Sequence, residues 1–187
     1  MLRLHGLRMR SFKMITSAKY TEHGSILAVI DGVEMTVPDD MANRHRAELA
    51  AWVKAGSTIE PYSPPPPTAG DVDRERDRRT AGGFSFGGSF YQSRPEDREN
   101  ISGAATAALA AMVNGAQAGD YRWHGGNEDF IWIAADNSTH PLDAQSTFAL
   151  GQAAMKHKQD HIFAARALKN ADPIPADFAD DAYWPVV

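Results

Sequence analysis

Four consecutive prolines at positions 64–67 divide this chain of 187 residues. They lie in the segment EPYSPPPPTAG, and a proline run favours extended polyproline II structure because each ring fixes φ and removes a backbone donor. A helix or a central strand cannot continue through it. We therefore predict an N-terminal module over residues 14–59, a semi-rigid linker over residues 60–69 and a C-terminal domain over residues 70–170. Binding to an SH3-like domain is the alternative interpretation, but flanking specificity residues are missing.

The N-terminal module opens with signals for a small antiparallel sheet. SILAVI-DG-VEMTV places two β-prone runs around Asp31–Gly32. Such a pair favours a type I′ turn, in which both central residues need a positive φ. MITSAKYTEHG predicts a third strand that turns at His23–Gly24, and Pro38 ends the predicted meander.

One helix is predicted to follow this meander. The helix is predicted over the segment DMANRHRAELAAWVKAG, with Asp39 or Asp40 as its N-cap and Gly56 just beyond its end. The residues that share its apolar face are Met41, His45, Leu49, Trp52 and Val53. A core built from only ~45 residues is marginal by itself, so we expect this module to pack against a partner.

The C-terminal domain begins with a strongly charged stretch, DVDRERDRRTAGG. Its pairs Asp71–Arg74, Glu75–Arg78 and Glu75–Arg79 have the spacing of helical ion pairs, which predicts a solvated helix face. Phosphate binding by the arginines of this stretch is the alternative interpretation. The acidic residues between them make it less favourable. FSFGGSFYQS then predicts a hairpin around Gly87–Gly88.

A long helix follows this hairpin. SRPE matches a capping box from Ser93 to Glu96, with Pro95 in the first turn and Gly115 as the stop signal. Its small-residue run, SGAATAALAA, allows another backbone to approach closely, inside one domain or across an oligomer interface. The predicted buried stripe is Ile101, Ala105, Ala108, Leu109 and Met112.

Aromatic residues dominate the segment YRWHGGNEDFIWIA, residues 121–134. We predict a third hairpin that turns near residues 125–127 and pairs aromatic side chains across its arms. These rings are expected in the core, and a stacking platform for bases or sugars is the alternative. DNSTHPLDA is predicted as a turn that leads into a last helix over residues 143–170. The fold class is therefore α+β, with two long helices and β-hairpins in the C-terminal domain.

The motif HKQDH in that last helix raises the question of a metal site. His157 and His161 lie four residues apart, as zinc ligands on one helix do. Asp160 points about 60° or more away from both on a helical wheel, and Lys158 occupies the position where zinc proteases carry a glutamate. His140 or His124 would have to supply a third ligand, and nothing in the sequence places them. We expect a packed or half-exposed pair, no metal, no cofactor and no catalytic residue.

Composition sets further limits on function. The chain has no cysteine, which excludes thiolate metal sites and cysteine nucleophiles. Its apolar runs, such as SILAVI and AALAAMV, are far shorter than the ~20 residues that span a bilayer, so we expect no membrane insertion. Residues 1–13 are basic and are expected to be a disordered leader from an upstream translation start. Nucleic-acid binding by this leader is disfavoured by the acidity of the remaining chain.

The tail DPIPADFADDAYWPVV combines acidic residues with isolated aromatics. Such a segment is either disordered or docks on a neighbour through its aromatic anchors. We favour docking and predict Phe178, Tyr183 and Trp184 as partner-binding residues within a tail over residues 171–187.

Two passages resemble proteins of tailed bacteriophages. The stretch GSILAVIDGVEMTVPDDMANRHRAELAAWVKAGSTIEPYSPPPP resembles the N-terminal module of small proteins encoded among tail genes. The stretch from RDRRTAGGFSFGGSFYQSRPEDRENISGAATAALAA through RWHGGNEDFIWIAADNSTHPLDAQSTFALGQAAMKHKQDHIFAARALK is similar to a phage domain of unknown function that accompanies tail-fibre genes. The resemblance covers about residues 19–170 and implies a tail or fibre-associated protein, without any catalytic residue to carry over.

From this resemblance we expect a structural adaptor of the phage tail tip, baseplate or fibre attachment site. It is expected in the virion after synthesis in the host cytoplasm, in several copies or as a homo-oligomer, with other tail and fibre proteins as partners. A tail-fibre assembly chaperone, absent from the mature particle, is one alternative. A histidine-metal or sugar-processing enzyme acting on the host surface is another.

Overall fold

The computed structural model describes residues 14–186, so the predicted basic leader lies outside the described residues. Two compact units divide the chain at Pro65 and Pro66, a point that falls within the predicted linker. The predicted α+β fold class is confirmed, because four helices combine with small antiparallel sheets and the first sheet is a meander followed by a helix. No helix of the described residues is long and apolar enough to cross a membrane.

A three-stranded antiparallel sheet opens the first unit. Its strands are β1 (Ile15–Tyr20), β2 (Ile26–Ile30) and β3 (Val33–Val37), in the order β1-β2-β3. Asp31 and Gly32 both have a positive φ, 53° and 78°, as a type I′ turn requires. The tight turn fixes the register, which pairs Ile30 with Val33, and the predicted hairpin is confirmed.

Helix α1 (Arg44–Lys54) covers one face of this sheet, but its start differs from the prediction. Asn43, not Asp39 or Asp40, is the N-cap, because its side-chain oxygen accepts hydrogen bonds from two first-turn amides. Asp39 instead pairs with Arg46 at 2.5 Å, and the Asp40 carboxylate accepts from the Ala42 amide.

This later start changes which side chains of the predicted apolar face are buried. Met41 precedes the helix and is exposed, and Val53 is also exposed. Leu49 is buried, and Trp52 is partly buried against the same cluster. The core of the first unit consists of Ala18, Ile26, Ala28, Ile30, Val37 and Leu49.

The chain returns to the sheet before the proline run begins. The Tyr20 amide donates to the Glu60 carbonyl at 2.8 Å, and the Glu60 amide donates to the Ala18 carbonyl at 2.9 Å. Glu60 thereby forms a parallel bridge with Lys19. The extended backbone that proline imposes thus starts beside the edge strand β1, where it satisfies backbone groups that would face water.

The second unit contains three helices and two short hairpins. The helices are α2 (Ala69–Ala81), α3 (Pro95–Val113) and α4 (Ala144–Lys169), and α4 contacts both of the others. The hairpins are β4 (Phe84–Phe86) with β5 (Ser89–Tyr91), and β6 (Ile131–Ile133) with β7 (Thr139–Pro141). A short 3-10 turn, Asp181–Tyr183, lies near the end of the chain.

Several predictions about this unit are confirmed. Gly87 and Gly88 both have a positive φ in the β4–β5 turn, and the three ion pairs predicted along α2 are present. Helix α3 ends before Gly115, whose φ is 96°. Helix α4 begins and ends within a residue of its predicted bounds.

The predicted capping box at the start of α3 is wrong. Ser93 is buried, and its hydroxyl donates to the Thr80 carbonyl at 2.5 Å. The helix therefore begins one residue later than predicted, at Pro95. Asp97 takes the place assigned to Glu96, since its carboxylate accepts from the Arg94 amide.

The third hairpin is also placed differently from the prediction. Residues 121–129 form turns with no strand, although the Phe130 amide still donates to the Tyr121 carbonyl. Strand β6 pairs with β7 instead, around a turn in which Asn137 has a φ of 65°. Asparagine tolerates this left-handed conformation, and the Asp136 carboxylate accepts from the Ser138 amide within the turn.

Candidate functional site

An open groove of about 490 Å³ runs between α3 and α4. The two helices are antiparallel: the Gln145 side chain at the start of α4 donates to the Ala116 carbonyl just after α3. Small side chains bring the two backbones together, because a Cβ added to Gly151 would lie 2.4 Å from the Cβ of Ala105. The close approach expected from the small-residue run is therefore present, and it occurs inside the unit.

Large apolar side chains border the small-residue floor of the groove. Leu109 and Phe148 line one end, and Met155 lines the middle. Leu109 is 44% exposed and Met155 is 65% exposed. Leu109 was predicted to be buried, so that prediction is wrong. Apolar side chains that stay exposed around a concave surface are a common mark of an interaction site.

The end of the groove near the start of α3 is cationic. Arg98 and Lys158 line it. Among the described residues neither forms an ion pair, although the Arg98 guanidinium donates to the Ser93 carbonyl. The groove is therefore polar at one end and apolar at the other.

The histidines of HKQDH lie on the other side of α4, in an internal row of rings. His161 is completely buried and stacks on Trp184, with ring centroids 6.2 Å apart. His157 stacks on Phe84 at 5.8 Å and meets His161 edge-on at 4.5 Å. The prediction of a packed or half-exposed pair is confirmed, since His161 is buried and His157 is partly buried.

Hydrogen bonds to backbone carbonyls show which nitrogen of each ring carries a proton. The Nδ1 of His161 lies 2.8 Å from the His157 carbonyl, and the Nε2 of His157 lies 3.2 Å from the Thr80 carbonyl. A carbonyl only accepts, so both of these nitrogens carry a proton. Burial lowers the pKa of His157, and the neighbouring His161 lowers it further. The Nε2 of His161 is buried and has no hydrogen-bond partner.

The two histidines considered as a third metal ligand are engaged elsewhere. His124 packs on Trp123 and Phe130, and the Nε2 of His140 lies 2.8 Å from the Ser138 hydroxyl. Within residues 14–186, no group of three or more histidine, cysteine, aspartate or glutamate side chains is arranged to hold a metal ion.

One cluster of serine, histidine and aspartate deserves comparison with a catalytic triad. The Ser138 hydroxyl donates to Asp136 at 2.6 Å, and the hydroxyls of Ser138 and Ser89 both lie near the Nε2 of His140. In a triad the carboxylate binds the imidazole and the imidazole activates the serine. Here the carboxylate binds the serine and also accepts from the Ser138 amide, so the cluster stabilises the β6–β7 turn.

The predicted partner-binding aromatics lie in a tail that folds onto its own unit. Trp184 is only 5% exposed and packs with Val72 of α2 and with Ala165 and Leu168 of α4. Its indole donates to the Phe178 carbonyl at 2.8 Å. The Arg79 guanidinium lies 5.3 Å from the Trp184 ring centroid.

The three aromatics differ in what they leave open to a partner. The Trp184 ring is occupied within the unit, and Phe178 is partly buried beside it. Tyr183 is 39% exposed, and its hydroxyl donates to Asp177. Partner binding by these residues stays a prediction, in which Tyr183 has the most accessible side chain of the three.

The aromatic segment 121–134 contributes to the core, although not as a hairpin. Trp123 and Phe130 have ring centroids 4.8 Å apart, and the Trp123 indole donates to the Leu142 carbonyl. Phe130 and Trp132 pack against the main core cluster of the unit. Both side chains are partly buried there, whereas Tyr121 is 38% exposed. The expectation that these rings are core residues is therefore met in part by Phe130 and Trp132 and is wrong for Tyr121.

Sequence reasoning missed the groove as a site. The small-residue run predicted a close helix contact, but it did not show which α4 residues lie opposite it. Arg98 and Lys158 are 60 positions apart, and no local pattern connects them. A search for small residues at corresponding positions of two antiparallel helices is the signal that could have found the floor.

The fold and the site together define an α+β protein. Its three-helix unit carries an open groove that is cationic at one end and apolar at the other. A family model for the domain of unknown function DUF4376 matches residues 68–183. The chain therefore belongs to this family. The match runs from the residue before α2 through the 3-10 turn, so it includes most of the tail beyond residue 170. No curated protein and no solved structure matches this chain.

Proposed function

We propose that this protein is a structural adaptor of a phage tail, at the tail tip, the baseplate or the fibre attachment site. It acts by docking to other tail and fibre proteins, it is present in several copies, and it uses no cofactor or catalytic residue. The phage assignment is supported by the resemblance of its two sequence passages to tail-gene proteins. The membership in DUF4376 adds no function of its own.

The observation that carries the docking role is the open groove between α3 and α4. Folding normally removes large apolar side chains from water, and exposed ones around a concavity lower their free energy when a partner covers them. Leu109 and Met155 stay exposed although α3 and α4 are otherwise tightly packed. This surface is therefore available for a partner without unfolding of the unit.

The organisation of the chain into two units supports an adaptor. Each unit has its own hydrophobic cluster, and the proline run between them is semi-rigid. Two such units can hold two different partners. This gives the protein a role as a connector that does not require a reaction.

Mass spectrometry of purified phage particles tests the proposal. The adaptor is expected in intact virions at a fixed ratio to known tail proteins, and antibody labelling is expected at the tail. An assembly chaperone would be abundant in infected cells and absent from the particles, so that result would overturn the adaptor role.

A metal measurement on the same purified chain addresses the enzyme alternative. Elemental analysis is expected to find no stoichiometric metal, and the double variant His157→Ala/His161→Ala that still folds is expected to enter particles normally. Bound zinc that disappears in this variant would favour an enzyme instead.

A further inference from the structure

We infer that the α3–α4 groove takes an amphipathic helix of a partner protein, whose acidic end lies against Arg98 and Lys158. This inference rests on the proposed docking function and names the chemistry of the docked segment. It is carried by the shape of the groove, by the position of its two cations and by the apolar side chains at its opposite end.

The floor of the groove is suited to a helix in shape. Ala105 and Gly151 hold the two backbones close, and the other short side chains, Ser102 and Thr106, keep the surface concave. From Arg98 to Leu109 the groove follows α3 for a length of about 16 Å at 1.5 Å per residue. That length accommodates about three turns of a helix with apolar anchors at i, i+3 or i+4, and i+7.

The charge of the groove determines that the acidic end of the partner helix lies at the cationic end. Arg98 and Lys158 mark one end of the groove, while Leu109 and Phe148 mark the other. Lys158 has no ion pair among residues 14–186, so an incoming carboxylate does not have to displace one there. The Arg98 guanidinium donates to the Ser93 carbonyl and adds positive charge at the same end. An acidic residue in the terminal turn of the partner helix is therefore attracted to this end, and its apolar residues cover the rest.

A second copy of this chain fits the groove less well. A two-fold axis along the groove would bring Arg98 and Lys158 of both copies together, and like charges repel. A two-fold axis across the groove would place those cations opposite Leu109 and Phe148, whose end offers no groove-lining carboxylate. Charge complementarity therefore favours a different, acidic helix.

Two synthetic peptides and the full-length chain test this inference. Both peptides are helices of about sixteen residues with the same leucine stripe; one ends in two glutamates and the other in two lysines. Fluorescence anisotropy at low salt is expected to show the glutamate peptide binding about fivefold more tightly, the range of partly exposed ion pairs, with the preference weakening as salt increases.

Three variants make the result specific to the groove. Lys158→Glu is expected to abolish or reverse the preference, whereas Lys156→Glu, the same charge change on α4 outside the groove lining, is expected to preserve it. Ser102→Trp fills the groove from an exposed position of α3 and is expected to weaken binding of the glutamate peptide at least tenfold. Circular dichroism verifies that each variant is folded.

The remaining outcomes overturn the inference. They are no binding, equal binding of both peptides, a preference that Lys158→Glu leaves unchanged, and a dimer in sedimentation that Ser102→Trp dissociates, which would assign the groove to a second copy. If any of these occurs while the wild-type chain is still found in virions, only the groove inference fails. Absence from virions would reject the proposed function separately.

Discussion

At the scale of single residues, the packing of α4 depends on two unusual residues. Gly151 is required because α3 passes too close for any Cβ, and His161 is a polar ring enclosed by the core. A buried nitrogen without a partner normally costs free energy. His161 satisfies one nitrogen within its own helix and leaves Nε2 unpaired, so the second unit carries a local cost at this position.

Substitution of Gly151 by alanine is expected to destabilise the protein by about 1–3 kcal/mol, as overpacking of a core does. The added Cβ meets the Cβ of Ala105, and α3 must move. Gly103→Ala is the matched control, since its Cβ meets nothing within 4 Å, and it is expected to stabilise by about 0.5–1 kcal/mol. Urea unfolding measures both free energies.

A double variant tests whether the contact itself is responsible. Gly151→Ala combined with Ala105→Gly removes the clash, so the two changes are expected to couple favourably when their separate effects are subtracted. Equal behaviour of Gly151→Ala and Gly103→Ala would contradict the close approach.

The free energy of unfolding is expected to depend on pH through His157. Its folded pKa lies below the unfolded value of about 6.5, because the charged form is buried and faces His161. A base with a lowered folded pKa contributes stability that is present above the unfolded pKa. That stability is lost as the pH falls from there through the folded pKa, because the unfolded state then binds the proton more strongly.

Urea unfolding at several values between pH 8 and pH 5 measures this loss. His157→Gln is expected to flatten the dependence, because it removes the imidazole whose pKa is lowered by burial, by His161 and by Arg98. An unchanged slope in this variant would show that other groups carry the pH dependence.

At the scale of elements, the structure shows what the C-terminal tail packs against. Acidic residues and isolated aromatics predicted a segment that docks, but not its target. In the structure Trp184 fills the space between α2 and α4, and Arg79 covers its ring while pairing with Glu75 and Asp181. The charged face of α2 is therefore partly an internal surface, which helps to explain why only some of its arginines are exposed.

Trp184→Ala is expected to destabilise the second unit by about 3–5 kcal/mol, the range for removal of a large buried aromatic. Tyr183→Ala is the matched control, because the Tyr183 side chain is far more exposed, and it is expected to cost less than about 1 kcal/mol. Thermal unfolding followed by circular dichroism distinguishes the two. Equal small effects would mean that the tail is not part of the folded unit.

At the scale of the whole molecule, the two units have different capacities to fold alone. The described part of the first unit, residues 14–65, has a core cluster of six buried residues, whereas the second unit combines two clusters around α4. A small domain buries a smaller fraction of its surface and is correspondingly marginal. The second unit is therefore the one that we expect to be independent.

A chain of residues 66–187 alone is expected to unfold cooperatively. Its midpoint should lie within about 4 °C of the corresponding transition in the full chain, a difference equivalent to ~1 kcal/mol for a domain of this size. Calorimetry of both proteins measures the two midpoints. A shortened chain that is already unfolded at 25 °C would contradict the division of the molecule.

Much of the fold was predictable because its signals are local. The Asp31–Gly32 and Gly87–Gly88 turns, the stop at Gly115 and the proline run each follow from the φ angles that glycine, asparagine, aspartate and proline allow. The same local rules misplaced the caps of α1 and α3. Several polar residues could serve as cap in each case, and tertiary contacts such as that of Ser93 with Thr80 selected among them.

The sequence by itself determined the α+β class, the division of the chain at its prolines and the internal position of His161, since periodicity and backbone restrictions act over a few residues. Only the tertiary structure decided that β6 pairs with β7, that Trp184 closes its own core and that Arg98 and Lys158 share one end of a groove. Those features join residues far apart in the chain. Contacts between distant residues depend on the packing of all elements together, so they cannot be predicted from any short stretch of sequence.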